Sequence, residues 1–216
     1  MSNILIATGN AHKFQEIESI MGKYTGLNSD LNLIYLDKNY HIEIIEDGAT
    51  YEENAKIKAE GYLKFLDENP ELKTKLNIDF IVSEDSGLEV ECLEGAPGLF
   101  TARYAGENTS DIANIEKLLS NMRFKKECAE NRRAKFVCYA CLYDIKKNSF
   151  EYFYGELKGL IAEEISGTKG FGYDPVFIVP EFNKTAAQIG AEEKNAISHR
   201  AVAFGKVAEA IKTKSS

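Results

Sequence analysis

The run AKFVCYACLYDI at residues 134–145, the turn KKNS at 146–149 and the run FEYFYGEL at 150–157 decide the fold class. Two aromatic-rich segments of alternating character flank a short polar connection, which predicts an antiparallel hairpin. Upstream the pattern is different, because strands and helices interleave. Ile4–Ala7 reads as a strand ended by Thr8-Gly9-Asn10, and Phe14, Ile17, Ile20 and Met21 then recur at helical spacing. Leu33–Leu36 and Ile42–Ile45 read as strands. Thr50-Tyr51-Glu52-Glu53 is a capping-box pattern opening a helix with Ala55, Ala59, Tyr62 and Leu66 on its inner face.

Ile78–Val82 reads as a strand that runs into a loop, Ser83-Glu84-Asp85-Ser86-Gly87, with strand resuming at Leu88–Val90. Ile112, Ile115, Leu119 and Met122 predict a helix over 111–122, and Gly95-Ala96-Pro97-Gly98 a turn. Ile161–Ile165 and Val176–Val179 add strand material, and a last helix opens near Ser198 with Phe204, Val207, Ala208 and Ile211 inward. Asp67–Asn77 and Lys125–Arg133 read as charged surface loops. Interleaved elements plus a hairpin predict an α/β fold with a mixed sheet. No repeat or Pro-rich linker divides residues 1–216, which read as one domain.

With 44% hydrophobic residues the chain can bury a substantial core, and its formal net charge of -8 disfavours nucleic acid as a partner. A small anion held by a few local cations remains open. No apolar run approaches the roughly 20 residues of a membrane span, so no membrane partner is expected. Met1–Ala7 lacks the basic flank and long apolar stretch of a secretory signal. Cys92, Cys128, Cys138 and Cys141 do not resemble a disulfide scaffold, which points to a reducing, cytoplasmic setting. Cys138 and Cys141, three apart on a strand, face opposite sides and cannot share a metal.

Four segments carry candidate chemistry. Thr8-Gly9-Asn10-Ala11-His12-Lys13 joins a strand to a helix N-terminus, where backbone N–H groups and a lysine suit an anion; an ordinary turn capped by Asn10 fits equally. Asp85 beside Glu84, with Glu46 before Asp47-Gly48 as a second oxygen donor, could hold Mg²⁺ or orient a water, and Lys58 could face the same region. Phe171, bracketed by Gly170 and Gly172, could offer a face to a base, and Asp174 could accept hydrogen bonds there. Ser198-His199-Arg200 places donors at a helix start, suited to a 6-keto oxygen and unsuited to a 6-amino group. Ser86 and Ser198 lack the context of a nucleophile, and with three histidines (His12, His41, His199) a Ser-His-Asp triad is not expected.

These segments, taken together, resemble the Ham1 or inosine triphosphate pyrophosphatase family. The matching residues are Ala7-Thr8-Gly9-Asn10 with Lys13, Glu53-Asn54-Ala55 with Lys58-Ala59, Glu84-Asp85-Ser86-Gly87-Leu88, Gly95-Ala96-Pro97-Gly98 with Ala102-Arg103-Tyr104, Gly170-Phe171-Gly172-Tyr173-Asp174-Pro175, and Glu193-Lys194-Asn195 with Ser198-His199-Arg200. The resemblance implies an elongated, two-lobed mixed sheet flanked by helices, with the active site in the cleft between lobes. It implies a Mg²⁺-dependent, homodimeric, cytoplasmic enzyme that converts ITP, dITP and XTP to the monophosphate and pyrophosphate. By the same resemblance, Thr8 to Lys13 (with Gly9, Asn10, Ala11 and His12) and Lys58 hold phosphates, and Glu46 and Asp85 hold the metal. Asp85 also activates water, Ser86 lies on the substrate, and Phe171, Gly172, Tyr173, Asp174, Lys194, His199 and Arg200 form the base pocket. A phosphatase releasing orthophosphate and a sensor that binds without turnover are the competing readings.

Overall fold

The computed structural model describes residues 2–24, 31–36, 38–40 and 42–215; Met1 and His41 lie outside them. The chain runs β1 (Ser2–Ala7), α1 (Ala11–Tyr24), β2 (Leu31–Tyr35), α2 (Tyr51–Glu68), α3 (Pro70–Leu76), β3 (Phe80–Val90), α4 (Asp111–Phe124), α5 (Glu127–Glu130), β4 (Arg133–Asp144), β5 (Ser149–Ile161), β6 (Phe177–Val179), β7 (Lys184–Thr185), α6 (Ala191–Ile197) and α7 (His199–Ser215). The strands form a seven-stranded mixed sheet in the order β2-β1-β3-β4-β5-β6-β7. β1 pairs parallel with both β2 and β3, while β6 runs antiparallel to β5 and β7. The expected hairpin is present as β4 and β5, adjacent strands joined by so short a turn that they can only run antiparallel.

Backbone contacts divide the chain into two compact units. The first is Met1–Asp85, Cys138–Gly155 and Arg200–Ser216; the second is Ser86–Val137 and Glu156–His199. In the first unit the period of two along each strand sorts side chains onto two faces. Ile4, Ile6, Phe80, Val82, Cys138, Ala140 and Leu142 meet Ile17, Ile20 and Met21 of α1 and Phe204, Val207, Ala208 and Ile211 of α7. The intervening Leu5, Ala7, Ile81, Cys141 and Tyr143 meet Ala55, Ala59, Tyr62 and Leu66 of α2. Cys138 and Cys141 fall on opposite faces, which agrees with the spacing argument. The second unit has its own core, in which Leu88 and Val90 of β3 pack with Ile115, Leu118, Leu119 and Met122 of α4 and with Phe177 and Val179 of β6.

Several sequence expectations change. Ser83–Gly87 is not a loop; it lies inside the unbroken strand β3. Ile42–Ile45 belongs to no strand, and Ile44 instead packs toward α2, where Gly61 leaves it room: a Cβ there would stand 2.7 Å from Ile44 Cδ1. Asp67–Asn77 carries α3, opened by Pro70 at its first turn and closed by Asn77 in the left-handed region. Residues 162–165 do not extend β5, and α6 precedes the last helix. Among the described residues no helix is long and apolar enough to cross a membrane.

Lys125–Arg133 holds α5, whose Cys128 is disulfide-bonded to Cys92, both sulfurs being buried in the second core. The cysteines, read from the sequence as no disulfide scaffold, thus include one bonded pair: the partners stand 36 residues apart, and only the fold brings them together. Closing a loop of that length removes conformational freedom from the unfolded chain. Cys92→Ser is therefore expected to lower unfolding free energy by about 2–4 kcal/mol, read as a shift in denaturation midpoint that reductant reproduces in the native chain. Identical midpoints with and without reductant would contradict it.

Candidate active site

β1 feeds α1 on one face of the sheet and β3 is reached through α2 on the other, so the carboxyl end of β1, beside the middle of β3, lies where the chain's connections diverge. Such switch points are where open α/β sheets place their sites. The register pairs Ala7 with Ser83, so Thr8–Lys13 and the dipeptide Glu84-Asp85 both follow directly from this edge.

Adjacent residues on a strand point to opposite faces, and this separates the two carboxylates. Glu84 faces the side of α1 and α7. Its Oε1 receives Lys13 Nζ at 2.8 Å and Arg200 Nη2 at 3.3 Å, and its Oε2 lies 3.8 Å from the Cys138 thiol. Arg200 Nη1 reaches Glu16 Oε2 at 3.1 Å. Burial alone would raise the Glu84 carboxyl, but Lys13, Arg200 and Lys58 together hold it well below the usual range.

Asp85 faces α2. Asn54 Nδ2 donates to its Oδ2 at 3.1 Å, and Lys58 Nζ lies 3.6 Å from its Oδ1 and 2.7 Å from Glu46 Oε2. Burial pushes the Asp85 carboxyl up; Lys58 and Lys13 pull it down, and Glu84 and Glu46 push it up further, leaving it above its ordinary value. Asn54 and Lys58, four apart, share one face of α2. Thr50 caps that helix, its Oγ1 accepting the Glu53 N–H at 3.1 Å. Gly48 N–H donates to Asn54 Oδ1 at 2.8 Å, an approach that a Cβ would block at the same 2.8 Å. The segment bearing Glu46 is thereby drawn against α2.

Glu46 and Asp85 already share one cation, and two carboxylates completed by phosphate oxygens are a usual Mg²⁺ donor set. The donor chemistry fits that metal. No three-residue group of metal-ligating side chains is present among the described residues.

At the start of α1, Asn10 Oδ1 accepts the N–H groups of His12 at 2.9 Å and Lys13 at 3.3 Å, and Thr8 Oγ1 accepts that of Asn10 at 3.2 Å. Asn10 thus acts as the helix cap, and Gly9, Asn10, Ala11 and His12 are exposed.

The second unit gathers Phe171, Gly172, Tyr173, Asp174 and Lys194. Asp174, 2% exposed, accepts the Phe171 N–H at 3.0 Å and Lys194 Nζ at 2.6 Å through Oδ2. Lys194 Nζ also stands 4.9 Å from the centroid of the Phe171 ring, a cation–π contact. Gly170 has φ of +77°, and a Cβ there would meet Asp174 Oδ2 at 2.0 Å. Gly172 N–H donates to Asp111 Oδ2 at 2.7 Å, and Tyr173 Oη to the Thr101 carbonyl at 3.1 Å. His199 is buried and stacked on Phe136 at 5.0 Å between centroids. Ser86, half-buried, follows Asp85 along β3.

Arg200 pairs with Glu84 and Glu16 of the first unit, while the other expected base-pocket residues belong to the second. Sequence reasoning missed Asn54, Glu16, Asp111 and Thr101. Asn54 and Glu16 stand at helical spacing from Lys58 and Lys13 and could have been found; Asp111 and Thr101 are remote in sequence from the loop they hold.

A mixed sheet in which the end of β1 lies beside paired carboxylates of β3, with lysines from α1 and α2 against them, defines an α/β protein with a switch-point site. The chain belongs to the Ham1 family, whose model matches residues 4–210. It is 42% identical over 214 residues to the dITP/XTP pyrophosphatase of Clostridium perfringens, covering 98% of each chain. The Listeria monocytogenes protein of that name is 42% identical over 206 residues, covering 94% of this chain and 92% of the other. Among solved structures, a HAM1 protein from Coxiella burnetii superposes with a TM-score of 0.80 at 32% identity, over 99% and 100% of the two chains. The Staphylococcus aureus Ham1 protein gives 0.78 at 36% identity, covering 98% of each.

Because Gly170 combines a left-handed backbone with contact against Asp174, Gly170→Ala is expected to destabilise by at least about 1 kcal/mol. Thermal unfolding checks it, and a melting temperature equal to wild type would show that the loop tolerates the methyl.

Proposed function

We propose that the chain is a nucleoside triphosphate pyrophosphatase that converts dITP, ITP and XTP to the monophosphate and pyrophosphate. The observation that carries the reading is the division of labour along β3. Glu84 is neutralised by two cations on one face, while Asp85 on the other faces a lysine and a second carboxylate. The names of the relatives support the substrate class. The residues proposed for phosphate and metal belong to the first unit, and Phe171, Asp174, Lys194 and His199 to the second.

Lys13 and Lys58 would draw in the phosphate chain, with Thr8, Gly9, Asn10, Ala11 and His12 forming the exposed loop beneath it. Mg²⁺ held by Glu46 and Asp85 would neutralise phosphate oxygens and polarise the scissile bond. Asp85, steadied by Asn54, accepts a proton from the water attacking the α-phosphorus. The α–β anhydride bond breaks and pyrophosphate leaves; the charge growing on its oxygen is met by Lys13 and Lys58. Ser86 lies against the substrate beside Asp85. In the second unit, the Phe171 ring would stack on the base, and the Gly172–Tyr173–Asp174 turn, Lys194 and His199 would frame its edge. A donor such as His199 favours the 6-keto oxygen of hypoxanthine and xanthine over the 6-amino group of adenine. A homodimer in the cytoplasm, as the resemblance implies, belongs to the same proposal, and sedimentation of the purified chain tests the first.

With Mg²⁺ present, pyrophosphate is the expected product from dITP, ITP and XTP, with far slower turnover of ATP and GTP, when pyrophosphate and orthophosphate are assayed separately. Orthophosphate as the first product would replace this reading with a phosphatase. Asp85→Asn should lower turnover by about 10²–10⁴-fold while nucleotide binding persists; wild-type turnover in that variant would remove Asp85 from the chemistry. His199→Ala should narrow the preference for ITP over ATP by about 10-fold, the loss of one hydrogen bond to a buried acceptor. An unchanged preference would free His199 from base reading.

A further inference from the structure

Phe171 stands between two glycines with left-handed backbones, Gly170 at φ of +77° and Gly172 at φ of +60°. Glycine neighbours leave a loop many conformations, so the plane of the ring has to be set by contacts from outside. The peptide units on either side of Phe171 are planar, and only two soft dihedrals separate them. Holding both amides therefore fixes the direction of the Cα–Cβ bond. Each amide has its own carboxylate. The Phe171 N–H donates to Asp174 Oδ2 at 3.0 Å, within the loop, and the Gly172 N–H donates to Asp111 Oδ2 at 2.7 Å, 61 residues away.

We propose that Asp111 is a positioning residue: from the start of α4 it fixes the Gly172 amide and so sets the Phe171 ring for stacking on the base. The inference rests on Phe171 being the base platform, as proposed above.

Three physical points support it. The two glycines differ in what else restrains them. Gly170 abuts the Asp174 carboxylate, whereas a Cβ on Gly172 would meet no atom within 4 Å beyond its chain neighbours, so the hydrogen bond rather than packing holds that peptide. Asp111 is itself placed by a helix. Ser110 caps α4, its Oγ accepting the Ala113 N–H at 3.2 Å, and a carboxylate in the first turn is favoured by the helix dipole. Ile115, Leu118, Leu119 and Met122 bury the rest of α4 in the second core. The same helix also governs the remaining anchor. Asn114, 2% exposed, donates through Nδ2 to the Ala102 carbonyl at 3.1 Å and accepts the Ala105 N–H at 2.7 Å. It thereby ties to α4 the segment whose Thr101 carbonyl receives Tyr173 Oη. A ring preset in this way has less freedom to lose when a base stacks on it, and the saving appears as affinity.

Steady-state kinetics with ITP and Mg²⁺ test the assignment. Asp111 is exposed, so its replacement leaves the core intact. Asp111→Ala should raise KM for ITP by about 5–10-fold with kcat within about 2-fold of wild type, because a stacked base is held alike in ground and transition states. Asp111→Asn keeps an oxygen acceptor and should recover most of the loss. In a Phe171→Ala background, Asp111→Ala should cause no further rise, because the two act through one ring. Ser110→Ala weakens the helix start but spares the bond to Gly172, and it should leave KM unchanged. Additive losses in the double variant, no recovery in Asp111→Asn, or an equal rise in Ser110→Ala would overturn the proposal as a general softening of α4. Wild-type protein that cleaves ITP, with KM unmoved by Asp111→Ala, would sink this inference alone; wild-type protein that cleaves neither dITP nor ITP would sink the function reading with it.

Discussion

Everything in the first unit's site depends on one geometric fact: Glu84 and Asp85 are neighbours on an extended strand. A loop could have turned both carboxylates toward a single ion. A strand sends them to opposite faces, where different helices receive them. The two environments then diverge without any special residue. One side has Lys13 from α1 and Arg200 from α7, and the other has Asn54 and Lys58 from α2. Two chemically similar acids are pushed in opposite directions, Glu84 below its ordinary range and Asp85 above it, which is how paired carboxylates come to hold different tasks.

The helices do more than cover the sheet. α1 begins one residue past Asn10 and points its first turn at the same edge where β3 carries the acids, so Lys13 meets Glu84 on that face of the sheet. α2 carries Asn54 and Lys58 one turn apart, and Gly48 lets the preceding segment pass close enough to bring Glu46 to the same lysine. In the second unit the counterpart is a loop whose conformation is fixed by glycines and a buried ion pair, Lys194 with Asp174. A buried pair of this kind contributes modestly to net stability but strongly resists rearrangement, since breaking it leaves a charge stranded. Rigidity in that loop comes from polar contacts, whereas around β3 it comes from the apolar layers on both faces.

The sequence revealed the mixed sheet because its two kinds of evidence are local. Hairpin alternation in 134–157 and helical spacing in α1, α2, α4 and α7 are short-range patterns imposed by which face is buried. It misled at Ser83–Gly87, where Ser, Asp and Gly favour turns in isolation but β1 and the flanking helices hold the backbone extended. It misled at Ile42–Ile45, whose alternation arises from packing on α2 outside any strand. The Cys92–Cys128 bond and the grip of Asp111 on Gly172 join residues 36 and 61 apart, and nothing local encodes such distances. Lys13, Lys58, Asp85 and Asp174 were legible as candidates by type and setting. The partner of Arg200 was not, because a helix-start cation shows only that some anion is needed and leaves its identity to the fold.

The path of the chain has an evolutionary corollary. It passes between the two compact units at 85/86, 137/138, 155/156 and 199/200. Asp85 with Ser86 and His199 with Arg200 straddle two of those passages, and Cys138, against Glu84, begins a third. Neither unit is a contiguous segment of gene, so recombination cannot trade one half for a version with a different preference. Divergence in such a protein must come through point substitution in place.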